Sequence, residues 1–182
     1  MGASYSFAQG LSISTAATLT GGGLITNAAG AAPLIVFGTI QPTASQNTIS
    51  INGPLTLETS ATTSIQRVGS TPVFGTIASS GNIALAGVLA VYEDGANEAE
   101  TTAGQSFIIL EATGSGVLSG AFSNIASGQT LTTTDGTASF LVTINSGVDG
   151  DVVLSDFQMV PEPGMMAVMG GVMLVTMRRK RQ

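Results

Sequence analysis

Val36-Phe37-Gly38-Thr39-Ile40 recurs unchanged as Val73-Phe74-Gly75-Thr76-Ile77. Downstream of each copy runs a second shared pattern, Ile-x-(Ile/Leu)-x-Gly-x-Leu-x-(Leu/Val). It spans Ile49 to Leu57 around Gly53, and then Ile83 to Val91 around Gly87. The first element is spaced by 37 residues and the second by 34. A repeat of this size, made of short apolar runs and glycines, is the mark of a β-solenoid or array. One such unit cannot bury its own apolar side chains, so its neighbours must stack on it.

Working outward, the same alternation fills the rest of the body. Leu11-Ser12-Ile13, Ile49-Ser50-Ile51, Leu55-Thr56-Leu57, Ile83-Ala84-Leu85 and Leu89-Ala90-Val91 all have the period of two of half-buried strands. Gly, Asn, Pro and Ser punctuate them at turn positions. Phe107-Ile108-Ile109-Leu110 and Phe140-Leu141-Val142 read as strands buried on both faces. No stretch before Gly164 has a helical period. The expected fold is all-β: coils of a parallel β-helix or β-solenoid with a strand-rich C-terminal cap. An antiparallel β-sandwich is the alternative if the repeat is accidental.

Composition narrows the function. The chain of 182 residues has neither cysteine nor histidine. Disulfides, thiolate chemistry, the usual neutral-pH general base and the commonest metal ligand are therefore all missing. Charged residues make up 9% of the chain, against about 25% in an ordinary soluble domain. A surface wetted by Ser, Thr and backbone suits an extracellular β-protein. Before the last five residues stand 11 acids and a single base, Arg67, a net charge of −10. Such a body repels phosphate backbones, so no nucleic-acid partner is expected.

The C-terminus has a different character. Val160-Pro161-Glu162-Pro163 leads into an apolar run from Gly164 to Met177, and Arg178-Arg179-Lys180-Arg181-Gln182 ends the chain. Pro161 and Pro163 fix φ and lack N–H donors, so this segment is extended and cannot pair into a sheet. Ten of the 14 residues from 164 to 177 are apolar and three are Gly. As a helix they would span about 21 Å at ~1.5 Å per residue, short of the ~30 Å hydrocarbon core. Snorkelling Arg178 and Arg179 and local thinning reduce the mismatch. The basic cluster Arg178, Arg179, Lys180 and Arg181 fits a cytoplasmic stop on the positive-inside rule.

This order resembles the sorting signal of PEP-CTERM proteins: a Pro-Glu-Pro signature, a short membrane helix and a basic tail. The resemblance implies division into a passenger, 1–159, and a sorting signal, 160–182, with Pro161, Glu162 and Pro163 as the processing motif. It implies an exosortase-type membrane enzyme as partner and a transient anchor in the inner membrane. Release to the cell surface, or to an exopolysaccharide matrix, would follow. Met1 to Gly10 has neither a basic n-region nor an apolar h-region, so it does not read as a secretory signal. The expectation is a longer protein whose export signal precedes this chain.

From Gly81 the order of elements resembles the end of the passenger region of autotransporter-like proteins. The carriers are Ala103-Gly104-Gln105-Ser106-Phe107-Ile108-Ile109-Leu110, Leu118-Ser119-Gly120-Ala121-Phe122-Ser123-Asn124, Gly136-Thr137-Ala138-Ser139-Phe140, and Gly147-Val148-Asp149-Gly150-Asp151-Val152-Val153-Leu154. That resemblance implies a right-handed parallel β-helix ending in a less regular cap.

Two acidic groups are candidate sites. Glu93-Asp94-Gly95-Ala96-Asn97-Glu98-Ala99-Glu100 could supply paired carboxylates to a polysaccharide-active enzyme, but only Arg67 accompanies them in the body, and the reading is a solvated loop. Asp149, Asp151 and Asp156 stand among glycines like one copy of a calcium-binding turn, where stacked copies are needed. No catalytic residue, cofactor or metal is expected. The expected role is structural, on the cell surface or in a biofilm matrix, with an adhesin or carbohydrate-binding module as the alternative.

Overall fold

The computed structural model describes residues 3–7, 9–27, 32–43, 48–68, 73–94 and 104–160. They are all-β, with no helix among them. The expected short helix of 164–177 lies outside the described residues.

Three sheets share the strands in rotation. The first takes β1 (Ala3–Phe7), β4 (Gly23–Asn27), β7 (Thr48–Asn52), β11 (Thr76–Ser79) and β14 (Phe107–Ala112). The second takes β2 (Leu11–Ile13), β5 (Leu34–Val36), β8 (Leu55–Leu57), β12 (Ile83–Leu85) and β15 (Val117–Gly120). The third takes β3 (Thr18–Gly21), β6 (Thr39–Pro42), β9 (Thr62–Val68) and β13 (Val88–Asp94). The chain visits them in the order one, two, three, four times over, and every pair among these strands is parallel. An antiparallel sandwich would not pair in this way. The short β10 (Val73–Phe74) interrupts the rotation by pairing antiparallel with β9.

Period-two patterning explains why these segments are strands. Alternate side chains point to opposite faces, and in β5, β8 and β12 the outer two residues are buried around an intermediate one. Parallel register then stacks like on like. Leu11, Leu34, Leu55, Ile83 and Leu118 form one column through the second sheet. Gly23, Ile49, Ile77 and Leu110 form another through the first. Each fully buried aliphatic contributes about 1.5–3 kcal/mol, so the core is a set of such columns enclosed by three sheets.

The repeat that opened the sequence reading is not the spacing of the stack. Thr39 pairs with Thr62 in the third sheet, whereas Thr76 pairs with Thr48 in the first. The identical pentapeptides therefore occupy different places. Likewise Ile49 to Leu57 passes from the first sheet to the second, and Ile83 to Val91 from the second to the third. Successive levels are 20 residues apart at Ala3 and Gly23 but 35 apart at Ile83 and Leu118. What recurs in the sequence is a local unit, strand–glycine corner–strand.

A true equivalence exists two levels apart, at the corner between the second and third sheets. There the connections alternate between four residues and two: Ser14 to Ala17, Phe37-Gly38, Glu58 to Ala61, Ala86-Gly87. The longer turns close alike, with the N–H of Ala17 donating to Ser14 O and that of Ala61 to Glu58 O, both at 2.9 Å. Each tight corner lies over a wide one. A Cβ on Gly38 would stand 2.2 Å from both Ala17 O and Ser14 O, and one on Gly87 would stand 2.2 Å from Ala61 O. Gly87 also has φ +74, which favours glycine. The sequence trace of this pairing is Leu11-Ser-Ile-Ser-Thr-Ala-Ala-Thr18 against Leu55-Thr-Leu-Glu-Thr-Ser-Ala-Thr62.

At the C-terminal end the pairing becomes antiparallel. β19 (Asp151–Met159) pairs with β14 and with β17 (Ala138–Asn145), and β17 pairs with β16 (Gln129–Thr132). β18 (Gly147–Val148) closes the second sheet on β15. Here the reading of doubly buried runs needs correction. Ile108 is 44% exposed, while Ile109 and Leu110 are both fully buried. The register shifts between Ile108 and Leu110, and this bulge turns two successive side chains inward. In β17, Phe140 and Val142 are buried around a half-buried Leu141.

Candidate functional site

The residues expected to carry function, Pro161, Glu162 and Pro163 with Arg178, Arg179, Lys180 and Arg181, lie outside the described residues. Their point of departure is described. β19 runs between β14 and β17 as an inner strand of the first sheet. Its end is pinned at Val160, whose N–H donates to Thr137 O at 2.8 Å. The Pro-Glu-Pro motif thus begins one residue after a backbone hydrogen bond to the sheet.

Behind this exit sits an aromatic cluster. Phe74 packs on Phe107 at 4.5 Å between centroids and edge-on to Phe140 at 5.6 Å, and Phe140 meets Phe157 at 5.4 Å. Pairs at these distances add about 0.5–1.5 kcal/mol beyond their area. The cluster joins β10, through Phe74, and the parallel strand β14, through Phe107, to the antiparallel cap, through Phe140 and Phe157. Arg67, the single base of the body, lies fully buried with its guanidinium carbon 5.7 Å from the Phe157 ring centre. That distance is in the range of a cation–π contact. The signal for its burial was present in the sequence: Thr63, Ile65 and Arg67 share one parity along β9, and all three are buried.

Among the described residues the acidic groups do not assemble. Glu93 and Asp94 end β13, with Glu93 in register with Arg67, while Glu98 and Glu100 lie outside the described residues. Asp149, at φ 52, makes the turn between β18 and β19. Asp156, at φ 48, falls where the β17–β19 register shifts between Ser139 and Leu141. Asp151 accepts a hydrogen bond from Asn145 Nδ2 at 2.6 Å. Among the described residues no three acids come together in a way that could hold a metal ion. Comparison with protein-family models, with curated proteins and with solved structures finds no match. Among the described residues no helix is long and apolar enough to cross a membrane.

One carboxylate does a clear local job. Partial burial works against ionisation of Asp135. Hydrogen bonds from Thr133 Oγ1, at 2.6 Å, and from the Thr137 N–H, at 3.2 Å, outweigh it and hold the carboxyl below its ordinary range. These bonds fix the hairpin tip between β16 and β17. The third sheet is closed by a side chain instead of a strand. Asn124 accepts from the Leu89 N–H at 3.0 Å and donates to Leu89 O at 2.8 Å, as a neighbouring strand would. The Thr134 N–H donates to Val91 O on the same edge. The sequence names Asn124 within the Leu118 to Asn124 segment but not this role, because an Asn in a Gly/Ser-rich stretch is read as a turn residue.

Proposed function

We propose that this chain is a bacterial surface or matrix protein: a parallel β-helix passenger that an exosortase-type enzyme releases from the inner membrane by cutting near Pro161 to Pro163. Its role is structural, and its setting is the cell surface or an exopolysaccharide matrix. The observation that carries the reading is the junction at Val160. A sheet held by a hydrogen bond at Val160 is followed directly by Pro161-Glu162-Pro163, whose two prolines lack the N–H donors that sheet pairing needs. A processing enzyme then meets a rigid body on one side of the motif and a membrane segment on the other. The rotation of strands through three sheets supports the β-helix part of the reading. A surface sparse in charge and rich in hydroxyls, with Thr18, Thr39 and Thr62 in one outward column, supports the extracellular part.

The test is the C-terminal mass of the protein, expressed with an added export signal in a host that carries an exosortase. The expected product lacks the residues beyond about 161–163, and Glu162→Ala leaves the chain uncut. An intact chain ending at Gln182 and fractionating with membranes would overturn the proposal.

A further inference from the structure

Asparagines stand at several corners of the strand stack, and they are not alike. Asn82 Oδ1 accepts the Val117 N–H at 3.0 Å, and Asn124 brackets the Leu89 backbone as described above. Both are followed by isoleucine, Ile83 and Ile125. Asn52 is followed by Gly53, the sole Asn-Gly pair of the chain. It ends β7, and Gly53 opens the corner to β8. Gly53 has φ +136, a conformation that glycine alone adopts at no steric cost. The corner therefore demands the glycine that places a bare backbone N–H directly after a side-chain amide.

The next level sets a hydroxyl over this pair. Ser79 is in register with Ile51, and the Ser80 N–H donates to Ile51 O at 2.9 Å. Ser80 Oγ then accepts the Gly53 N–H at 3.1 Å and donates its own proton to Asn52 Oδ1 at 3.0 Å. A hydroxyl can do both at once. Ser79 Oγ holds the far side of Gly53 by donating to its carbonyl at 2.6 Å. Asn52 and Ser80 are exposed, and with Thr113 they line a depression open to solvent. One serine thus touches both the nucleophile and the electrophile of a ring closure.

We infer that Asn52-Gly53 is a self-modification site, which closes to a succinimide and opens to aspartate or isoaspartate, with Ser80 relaying the proton. Gly53 N attacks Asn52 Cγ, and the new C–N bond closes the ring. The proton of Gly53 N passes to Ser80 Oγ as the Ser80 proton passes to Asn52 Oδ1. The result is a neutral tetrahedral carbon. The side-chain nitrogen then takes up the Oδ1 proton and leaves as ammonia, which restores the carbonyl. Water from the open depression adds to either ring carbonyl and completes the exchange of NH2 for OH. Nothing but water is consumed. At Asn82 and Asn124 the side-chain carbonyl is occupied by a backbone N–H of another segment, and the branched isoleucine that follows crowds ring closure. No acid precedes Glu58, so the product places the first carboxylate on that part of the body. Isoaspartate would also lengthen the backbone by a methylene at the corner between β7 and β8.

The full-length chain is incubated for weeks at neutral pH and physiological temperature and mapped by peptide mass spectrometry. Loss of ammonia and then exchange of NH2 for OH are expected at Asn52, with isoaspartate resolved from aspartate by chromatography, while Asn82 and Asn124 stay intact. Ser80→Ala is expected to slow the reaction about a hundredfold, the low end of what positioned proton transfer supplies. Ser80→Thr keeps the hydroxyl and restores most of the rate. Ser80 is exposed, so both variants keep the fold, which far-UV circular dichroism checks. An unmodified Asn52 in the wild type would overturn the inference. So would a Ser80→Ala rate slowed less than about tenfold, or raised, since the hydrogen bonds would then be idle or protective. The result does not depend on the C-terminal motif, so this inference and the proposed function fail separately.

Discussion

The two ends of the strand stack solve the same problem in opposite ways. At the C-terminal end the last parallel strands are covered by β19, by β18 and by the Asn124 side chain, and the core is sealed by aromatic rings. At the N-terminal end the first described level presents half-buried Leu11, Ile13 and Leu19, and among the described residues no strand pairs with its outer edges. The same columns of aliphatic side chains run through both. The difference teaches that burial in this molecule belongs to a level's neighbours more than to its own sequence. Leu11-Ser12-Ile13 and Leu34-Ile35-Val36 have the same pattern, yet only the second lies between two levels.

The largest test of this contrast is a pair of truncations. Phe140→Ala, in a fully buried ring touching Phe74 and Phe157, should cost about 3–5 kcal/mol in urea unfolding. Leu19→Ala, at the open end, should cost roughly 1 kcal/mol in dilute protein, because less of its area is removed from water. Equal costs would mean that the open end is as well packed as the cap.

A smaller effect is expected at the side chain that closes the third sheet. Asn124→Ala removes both partners of the Leu89 backbone groups and should cost about 1–3 kcal/mol. It should also raise amide exchange at Leu89. Exchange unchanged there would show that Asn124 is dispensable as a stand-in for a strand.

The smallest expected effect is at the hairpin tip of the cap. The Asp135 carboxyl is held below its ordinary range, so its contribution is present above the unfolded value of about 3.9 and is lost as pH falls through the lower folded value. Wild type should therefore be slightly more stable than Asp135→Asn at pH 7, and the gap should close below about pH 4. A gap that widens on acidification would contradict this sign.

Much of the architecture was legible because period-two patterning is a local property. Every alternating triplet named from the sequence forms a strand with its apolar residues turned inward. The spacing of levels was not legible. The 37-residue repeat marks recurrent corners, and identical pentapeptides such as those at Val36 and Val73 settle in different sheets because the loops between levels differ in length. The bulge at Ile109 was equally hidden, since its cause is the antiparallel partner β19, more than forty residues further on. At the candidate site the Pro-Glu-Pro motif and the basic tail are read from sequence alone, whereas the hydrogen bond that anchors Val160 beside them is a tertiary fact.

By itself, then, the sequence determined that this protein is built of short strands with glycine corners, that its body is acidic and free of cysteine and histidine, and that a Pro-Glu-Pro motif, an apolar run and a basic cluster follow one another at its C-terminus. Those properties follow from residue type and nearest-neighbour spacing. Only the tertiary structure decided which strands stack, why Gly38 and Gly87 face the carbonyls of wide turns, where the lone Arg67 is buried, and which end of the stack is closed. These depend on register between segments 20 to 35 residues apart, and register is set by how side chains from different levels fill one shared interior.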